Sequence, residues 1–219
     1  MRKKHLLETL NHKIINCQKC PRLVQYRQKV AGKRTRRFSD QTYWGKPLTG
    51  FGDSSAQLLI VGLAPAAHGG NRTGRMFTGD SSGDWLAKVL YDFGFANKST
   101  SISSNDGLIL NNAYITAALR CVPPENKPTK DELTNCSDYL KIELEILRNA
   151  KVIICLGKIA YDCCCKLIGI KGIKFSHAKS FYFKRFVIIC SYHPSRQNTQ
   201  TGRLKWDQWS KVFYKAKKI

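Results

Sequence analysis

The sequence predicts an α/β fold in which a four-stranded, mainly parallel sheet lies between two layers of helices. Two observations support this fold class. Four short apolar runs have the length and composition of strands that are buried on both faces of a sheet. Longer segments with apolar residues at helical spacing separate these runs, and such alternation is typical of parallel sheets covered by helices. The 219 residues are enough for one domain with a substantial core.

The elements are assigned in chain order from their periodicity. Strands are expected at 58–61, 112–119, 152–156 and 186–191. Helices are expected at 3–16, 22–30, 81–94, 130–148, around 160–167, and at 204–217. Thr129 and Glu132 form a capping-box pattern at the start of the fourth of these helices. The segments 96–107 and 120–129 are expected to be loops, the second because it contains three prolines.

A long glycine-rich loop, residues 62–80, follows the first expected strand and precedes a helix. This position places it at the carboxyl edge of the sheet, where open α/β folds bind ligands. Its glycines let the backbone approach a ligand closely, Arg72 and Arg75 supply charge for phosphate, and Phe77 can stack on a flat ring. Neither GxxxxGKS/T nor GxGxxG occurs in it, so an ordinary nucleotide-phosphate loop is disfavoured.

The chain is strongly basic, with 37 Lys plus Arg against 15 Asp plus Glu, a formal charge of +22 and a pI of about 9.8. A field of this size attracts polyanions, so nucleic acid is the expected partner and an anionic membrane surface the less favoured one. The dense basic segment 29–37 is either a phosphate-contacting surface or a solvated loop. The sequence has neither a run of about twenty apolar residues nor a signal sequence, which predicts a cytoplasmic protein with no membrane span.

Nine cysteines in a chain of this kind indicate metal binding, redox chemistry or buried thiols. Cys17 and Cys20 form a CxxC, and Cys121 and Cys136 form a second, wider pair. Four thiolates in two pairs are able to hold either tetrahedral zinc or an iron–sulfur cluster, and the wide second pair mildly favours the cluster. No metal is expected at the other five cysteines.

Two separate stretches resemble the active-site motifs of one family. Residues 62–80 read GLAPAAHGGNRTGRMFTGD, and residues 191–204 read SYHPSRQNTQTGRL. They are similar to the first and second motifs of the family 5 (type B) uracil-DNA glycosylases of prokaryotes, which are of the iron–sulfur type. The resemblance extends from about residue 17 to residue 203. It implies a single uracil-DNA glycosylase-like domain, residues 1–219, built as a three-layer α/β/α sandwich.

The resemblance also implies the reaction. It implies a monofunctional DNA glycosylase, which hydrolyses the N-glycosidic bond of uracil and other deaminated or damaged bases and leaves an abasic site for base excision repair. The implied partner is double- or single-stranded DNA, and the implied state is a monomer. It further implies a structural 4Fe–4S cluster on Cys17, Cys20, Cys121 and Cys136, since the last two reproduce the family's Cys–x14–Cys spacing. Such a cluster would hold the N-terminal segment 1–50 to the rest of the domain. No nucleotide cofactor is expected.

The resemblance and the chemistry of the residues assign roles within the two motifs. His193 is the strongest catalytic candidate, because a neutral imidazole can donate to a base carbonyl, and Asp80, Asn71 and His68 are candidates for handling the water. Asp80 is equally well explained as the N-cap of the following helix. The expected substrate-binding residues are Gly62, Ala64, Pro65, His68, Phe77 and Asn126. The expected DNA-binding residues are Arg72, Arg75, Ser195, Arg196, Gln197, Asn198 and Arg203.

The sequence departs from related families at two positions and leaves one alternative open. Leu63 and Ala64 stand where better-known glycosylases carry a polar group that acts on the water, and neither side chain can take a proton. Ala117 corresponds to the base-reading asparagine of family 4 enzymes, which predicts relaxed base specificity. The alternative is a non-catalytic nucleic-acid-binding protein of the same fold with an iron–sulfur or zinc site. His193 within an intact second motif argues against it, because pure binding would not require that residue.

Overall fold

Six strands form one sheet in the computed structural model, which describes residues 2–219; position 1 of the expected domain lies outside them. The strands are β1 Phe51–Gly52, β2 Leu58–Gly62, β3 Ala113–Ala117, β4 Val152–Leu156, β5 Ser180–Phe183 and β6 Phe186–Ser191. They lie in the order β1-β3-β2-β4-β6-β5. The four strands β3, β2, β4 and β6 run parallel, and β1 and β5 are antiparallel to their neighbours at the two edges.

The four expected strands are confirmed as the parallel centre of the sheet, and every residue in them is buried. The expectation of only four strands was wrong, because the two edge strands give no comparable signal. β1 has two residues, too few for any periodicity. β5 alternates between exposed and half-buried positions, as one-sided edge strands do.

Eight α-helices surround the sheet in the described chain. They are α1 Arg2–Ile15, α2 Pro21–Lys33, α3 Gly70–Thr73, α4 Ser81–Asp92, α5 Lys130–Ile146, α6 Lys158–Ile168, α7 Arg196–Gln200 and α8 Trp206–Lys217. Short 3-10 turns lie at Arg36–Phe38 and Pro124–Asn126. The six expected helices are confirmed. The two that were not predicted, α3 and α7, contain four and five residues inside the motif loops, which is too short for a periodic pattern.

The caps explain where two of the helices begin. The capping box at the start of α5 is confirmed: the backbone N–H of Glu132 donates to Thr129 Oγ1 at 3.2 Å, and the backbone N–H of Thr129 donates to Glu132 Oε2 at 2.8 Å. At the start of α4, Asp80 Oδ1 accepts hydrogen bonds from the backbone N–H groups of Ser82 and Gly83, both at 3.0 Å.

The core consists of two apolar clusters, one on each face of the sheet. Alternate residues of β2 separate them, because Leu59 and Val61 belong to one cluster and Leu58 and Ile60 to the other. The first cluster includes side chains of α1, α2, α5 and α6, and the second includes side chains of α4 and α8. The expected three-layer α/β/α arrangement is therefore confirmed. Within residues 2–219 there is no helix whose length and apolar character would allow it to cross a bilayer.

Candidate functional site

A cleft of about 830 Å³ opens beyond the carboxyl ends of the parallel strands. Its walls come from the turn after α2, the loop after β2, the first turn of α4, the loop after β3 and α7. Of the residues with a predicted role, the cleft is lined by His68, Arg72, Asp80, Asn126 and Arg196. One cleft therefore contains predicted substrate-binding, catalytic and DNA-binding residues from both motifs.

Two aromatic rings join the motifs beside this cleft. The rings of Phe77 and His193 are stacked, with 5.7 Å between centroids and 29° between planes. The ring of Phe77 also packs on Gly62, where an added Cβ would lie only 2.7 Å from two ring atoms. Phe77 is 9% exposed and has φ of +50°, a strained conformation for a bulky residue that is most often found at functional sites. The described residues that line the cleft include neither Phe77 nor His193.

His193 is uncharged at neutral pH, because burial lowers the pKa of its imidazole to about 4. A neutral imidazole has one N–H donor and one acceptor nitrogen. The backbone of the residue is held by Asn198, whose Nδ2 donates to the His193 carbonyl at 2.8 Å. The ring is thus placed at the end of β6 as a neutral hydrogen-bonding group.

Asp80 caps α4 and also faces the cleft. Its Oδ1 makes the two capping hydrogen bonds, and its Oδ2 lies against Gly69, where an added Cβ would come into contact with it. Burial raises the pKa of Asp80, and the hydrogen bonds from α4 and the charge of Arg72 oppose this only in part. The capping role is confirmed, and the carboxylate remains available to the cleft.

Tyr43 is a cleft neighbour that the sequence did not single out. Its hydroxyl lies 3.0 Å from His68 Nδ1, and the two rings meet edge to face. Burial, and secondarily the charge of Arg72, lowers the pKa of His68. The only signal in the sequence was an aromatic residue in the loop before β1, which does not specify a partner.

Arg72 organises the first motif. Its Nε donates to the His68 carbonyl at 2.7 Å, its Nη1 to Gln41 Oε1 at 2.6 Å and its Nη2 to the Gly79 carbonyl at 2.9 Å. Its guanidinium also lies 3.9 Å from the centroid of the Phe38 ring. Arg72 therefore stabilises the loop as well as lining the cleft, where phosphate contact was predicted.

Arg75 does not line the cleft, and its placement does not support the predicted contact with DNA. Its Nη2 pairs with Asp106 Oδ2 at 2.8 Å, its Nε donates to Thr78 Oγ1 at 2.9 Å, and both charged side chains are buried. Burial alone would raise the pKa of Asp106, but hydrogen bonds from backbone N–H groups and from Arg75 lower it to about 2. The internal ion pair leaves this guanidinium unavailable to phosphate.

Asn71 is also turned away from the cleft. It is 1% exposed, and its Nδ2 donates to the backbone carbonyl of Arg27 in α2 at 3.2 Å. This contact holds the first motif against α2, so the placement does not support the predicted role of Asn71 in handling water.

The second motif contains α7. Some of its side chains hold this segment together, and others are exposed. Ser195 is the N-cap, its Oγ accepting from the backbone N–H of Asn198 at 3.3 Å. Arg196 is exposed and lines the cleft, and Gln197 is exposed beside it. Arg203 lies over the ring of Tyr192, 4.6 Å from its centroid. Arg196 and Gln197 are thus the members of this motif best placed to meet a large ligand.

The backbone around the cleft offers hydrogen-bond donors. Among the described residues, the N–H groups of Ala64, Ala66 and Ala67 donate to no other protein atom. Ala66 and Ala67 line the cleft, and Pro65, which lies between Ala64 and Ala66, is buried. Asn126 also lines the cleft, is exposed and has φ of +58°. The loop therefore presents unpaired donors to an incoming acceptor.

The four predicted ligand cysteines all belong to the first apolar cluster or pack against it. Cys121 and Cys136 are buried in it, Cys17 and Cys20 pack against it, and all four are free thiols. Burial raises the pKa of Cys121 to about 12 and that of Cys136 to about 11, and Asn135 Nδ2 lies 3.6 Å from Cys20 Sγ. Within residues 2–219, no group of three or more His, Cys, Asp or Glu side chains is arranged to hold one metal ion directly.

Comparison with known proteins identifies relatives along most of the chain. The family model described as uracil DNA glycosylase superfamily matches residues 49–217. The chain is similar to the type-5 uracil-DNA glycosylase of Pyrobaculum aerophilum, with 43% identity over 205 residues that cover 94% of this chain and 89% of that protein. It is also similar to the type-5 uracil-DNA glycosylase of Thermus thermophilus, with 43% identity over 93% of each chain. Similarity to the type-4 uracil-DNA glycosylase of Archaeoglobus fulgidus is lower, at 31% identity over 67% of this chain and 69% of that protein.

Proposed function

The chain belongs to the uracil-DNA glycosylase superfamily, and we propose that it acts as a monofunctional type-5 glycosylase that hydrolyses the N-glycosidic bond of uracil in DNA. The observation that carries this proposal is the contact between Phe77 and His193 beside Gly62. This contact brings the two motifs, which are more than a hundred residues apart, to one point at the carboxyl edge of the sheet. No observation favours the alternative of a non-catalytic binding protein.

The cleft and its rim suit a DNA strand. Arg37 and Arg196 both line the cleft, and the chain as a whole is strongly basic. The enzyme must extrude the target nucleotide, which costs a few kcal/mol and least for mismatched or damaged bases. Neither motif contains a lysine and none lines the cleft, so the chemistry ends at base release and leaves an abasic site. We further propose that a monomer acts on double- and single-stranded DNA, because one chain supplies every wall of the cleft.

Stabilisation of the departing base is the main task of the protein. As the glycosidic bond breaks, negative charge develops on the base carbonyl oxygens. The unpaired N–H groups of Ala64, Ala66 and Ala67, together with the neutral imidazole of His193, supply donors for that charge without any change of protonation. These donors act in the transition state more than in the ground state, which is what accelerates the reaction.

The ring of Phe77 offers a stacking surface, and its distance from the ring of His193 limits where a flipped base can lie. A base inserted between Phe77 and His193 would need about 7 Å between their rings, because each stacked contact takes about 3.5 Å. The centroids of the two rings are 5.7 Å apart. A flipped base therefore meets the edge of this pair or takes the place of the imidazole on Phe77. Stacking of a base on an aromatic ring is worth about 1–3 kcal/mol.

Asp80 is the predicted catalytic residue that lines the cleft and can accept a proton from the attacking water; Asp84 and His68 line the same cleft and are the competing acceptors. Leu63 and Ala64 cannot, and Asn71 faces α2. A carboxylate whose pKa is raised by burial is a stronger base than an ordinary one, and only Oδ1 of Asp80 is used for capping. The water proton passes to Asp80 as the water oxygen bonds to the sugar carbon and the base leaves with the bonding electrons.

We propose that base selection is relaxed. Ala117 ends β3 directly beside Gly62 and is fully buried, so its methyl group can make no hydrogen bond to a base edge. Bases such as hydroxymethyluracil, ethenocytosine and hypoxanthine are expected to be released as well as uracil. Excision rates compared across these substrates test this point, and a strict preference for uracil would contradict it.

We propose that Cys17, Cys20, Cys121 and Cys136 hold a 4Fe–4S cluster. Within residues 2–219, no group of three or more His, Cys, Asp or Glu side chains is placed to hold a single metal ion such as zinc. An iron–sulfur cluster would be held by these four thiolates. Arg27 and Arg120 leave buried guanidinium N–H groups without partners next to these cysteines, and a negatively charged cluster suits such surroundings. Its role would be structural, holding α1 and α2 to the domain.

The proposed activity is tested with a labelled DNA strand that contains one deoxyuridine opposite guanine, followed by alkali. We expect the wild-type protein to produce a cleaved strand and His193→Ala to lose most of the rate while keeping DNA affinity. Cleavage by neither protein, with DNA binding retained, would refute the glycosylase.

A further inference from the structure

A groove of about 330 Å³ lies between the edge strand β5 and the end of α8. The residues of its walls that matter for binding are Ser180, Tyr182, Val187, Tyr214, Lys215 and Lys218. This β5–α8 groove also includes Ile219, which lines a second depression together with Leu58 and Val152, the first residues of β2 and β4. The groove therefore lies towards the amino ends of the parallel strands, whereas the cleft opens beyond their carboxyl ends.

The outer edge of β5 has no partner strand within residues 2–219, because β5 is the last strand of the sheet and pairs only with β6. Just before β5, the backbone N–H of Cys190 in β6 donates to the Lys179 carbonyl at 2.9 Å. Residues of an antiparallel strand alternate between bonding to the partner strand and pointing away from it. The odd-numbered residues of β5 therefore bond to β6, and Ser180 and Tyr182 direct their N–H and C=O groups to the open edge.

Exposed aromatic rings lie beside this open edge. Tyr182 is 80% exposed and Tyr214 is 51% exposed. Tyr182 is on the face of the sheet that α8 covers, because its partner in β6 is Val187, a member of the second apolar cluster. Tyrosine is enriched in the centres of protein interfaces, and an apolar surface with a charged rim is typical of a docking site.

The charge around the groove is of one sign. Residues 163–219 contain thirteen Lys or Arg and a single carboxylate side chain, Asp207, which lies at the other end of α8. Lys215 and Lys218 form no ion pair within residues 2–219, and Lys215 Nζ donates to the Ala178 carbonyl at 2.8 Å. Lysines beside an edge strand oppose pairing with another copy of the same chain. The same charges attract an acidic segment.

We propose that the β5–α8 groove binds an acidic, extended peptide of a partner protein, which adds a strand to β5. The main chain of the peptide pairs with Ser180 and Tyr182, its apolar side chains pack on Tyr182 and Tyr214, and its carboxylates meet Lys215 and Lys218. An open strand edge favours a peptide over a nucleic acid, because only a peptide main chain repeats donors and acceptors at the spacing of a strand. The inference does not rest on the proposed function, and it leaves the cleft free for DNA.

The test measures binding of labelled eight-residue peptides in which Asp or Glu alternates with Val, Ile or Phe. The comparison probes are the same peptides with every backbone nitrogen methylated, and oligothymidylate of eight nucleotides. We expect the unmodified peptides to bind the wild-type protein about tenfold or more tightly than the methylated ones, because methylation removes the main-chain donors.

Three variants locate the site on β5 and α8. Tyr182→Ser is expected to weaken peptide binding about tenfold or more. Ser180→Pro should weaken it by removing one outward N–H while leaving the bonds to β6 in place. Lys218→Glu should weaken it as well, whereas Lys166→Glu changes the net charge equally at an exposed position of α6, on the other face of the sheet, and should have no effect. Uracil excision should be unchanged in all four variants.

Each other outcome would overturn the inference. These outcomes are absence of peptide binding, equal binding of the methylated peptides, or equal affinity in Tyr182→Ser and the wild type. Slower hydrogen exchange of the Ser180 and Tyr182 amides with oligothymidylate but not with peptide would make the groove a nucleic-acid site. A wild-type dimer that Tyr182→Ser dissociates would make it an interface between copies of this chain. Peptide binding by a protein that releases no uracil would refute the proposed function alone.

Discussion

Replacing Asp80 by serine separates the two roles that this side chain combines. Serine is also a preferred N-cap residue, so Asp80→Ser keeps an acceptor for the first turn of α4 and removes the carboxylate from the cleft. Asp80→Ala removes both the capping acceptor and the carboxylate. The pair of variants therefore distinguishes a residue that acts on the water from one that only begins a helix.

The two roles predict effects of different size on different quantities. A positioned general base contributes about 10²- to 10⁴-fold to a rate, so uracil excision should slow at least about 100-fold in both variants. Loss of the N-cap costs about 1 kcal/mol, which corresponds to about 2–4 °C in melting temperature for a domain of this size. Asp80→Ala is therefore expected to melt below Asp80→Ser.

The pH dependence follows from the raised pKa of Asp80. At a pH between the unfolded-state pKa and the folded-state pKa, the carboxyl of Asp80 is protonated in the folded protein and ionised in the unfolded chain. The tighter binding of this proton stabilises the folded state at low pH, and that stabilisation is lost as the pH rises through the folded-state pKa. Asp80→Ser should accordingly lose no stability at neutral pH, and the acid limb of the wild-type rate profile should lie above the usual range of an aspartate and vanish in the variant.

The assay is single-turnover excision with enzyme in excess over a deoxyuridine-containing duplex. Asp84→Ser serves as the matched control, because Asp84 lies in the first turn of the same helix and lines the same cleft without capping it. The two serine variants change the net charge equally, so both should alter DNA affinity alike. An excision rate in Asp80→Ser equal to that of Asp84→Ser would refute the reasoning.

The remaining predictions concern other parts of the site. Arg75→Met should lower the free energy of unfolding by about 3–5 kcal/mol by breaking a buried ion pair, with no change in the salt dependence of DNA binding; a reduced salt slope would show that Arg75 meets phosphate after all. Arg196→Ala should leave unfolding unchanged and reduce that slope by about one, which titration at several salt concentrations measures. Gly62→Ala should displace the rings of Phe77 and His193 and abolish excision in a folded protein, and wild-type activity would contradict the packing. His193 should titrate near pH 4 by NMR, and its contribution to stability should fall as the pH drops from about 6.5 towards 4; a titration near 6.5 would contradict the burial.

The parallel strands could be predicted because each is a continuous apolar run with its own boundaries. The edge strands could not, since β5 exposes one face and β1 is too short to show a pattern. The same limit applies to the short helices: α7 depends on the cap at Ser195 and on packing within its loop, neither of which is periodic. Local periodicity thus identifies elements that are long or fully buried.

Within the site, the residue types predicted the chemistry better than they predicted the partners. Arg72 and Arg75 stand three positions apart in one motif and looked equivalent as phosphate ligands. Arg72 lines the cleft, whereas Arg75 is paired with Asp106, which lies 31 residues further along the chain. Tyr43 was missed for the same reason, because its contact with His68 joins segments that have no local relation.

The sequence by itself determined the family, the parallel centre of the sheet and the two motifs at its carboxyl edge, because these depend on runs of adjacent residues. Only the tertiary structure decided which basic and polar side chains remain available to DNA, that Asp80 both caps a helix and faces the cleft, and that the open edge of β5 lies beside α8. Those properties depend on which distant groups meet, since burial and pairing are set by the packing of helices against the sheet.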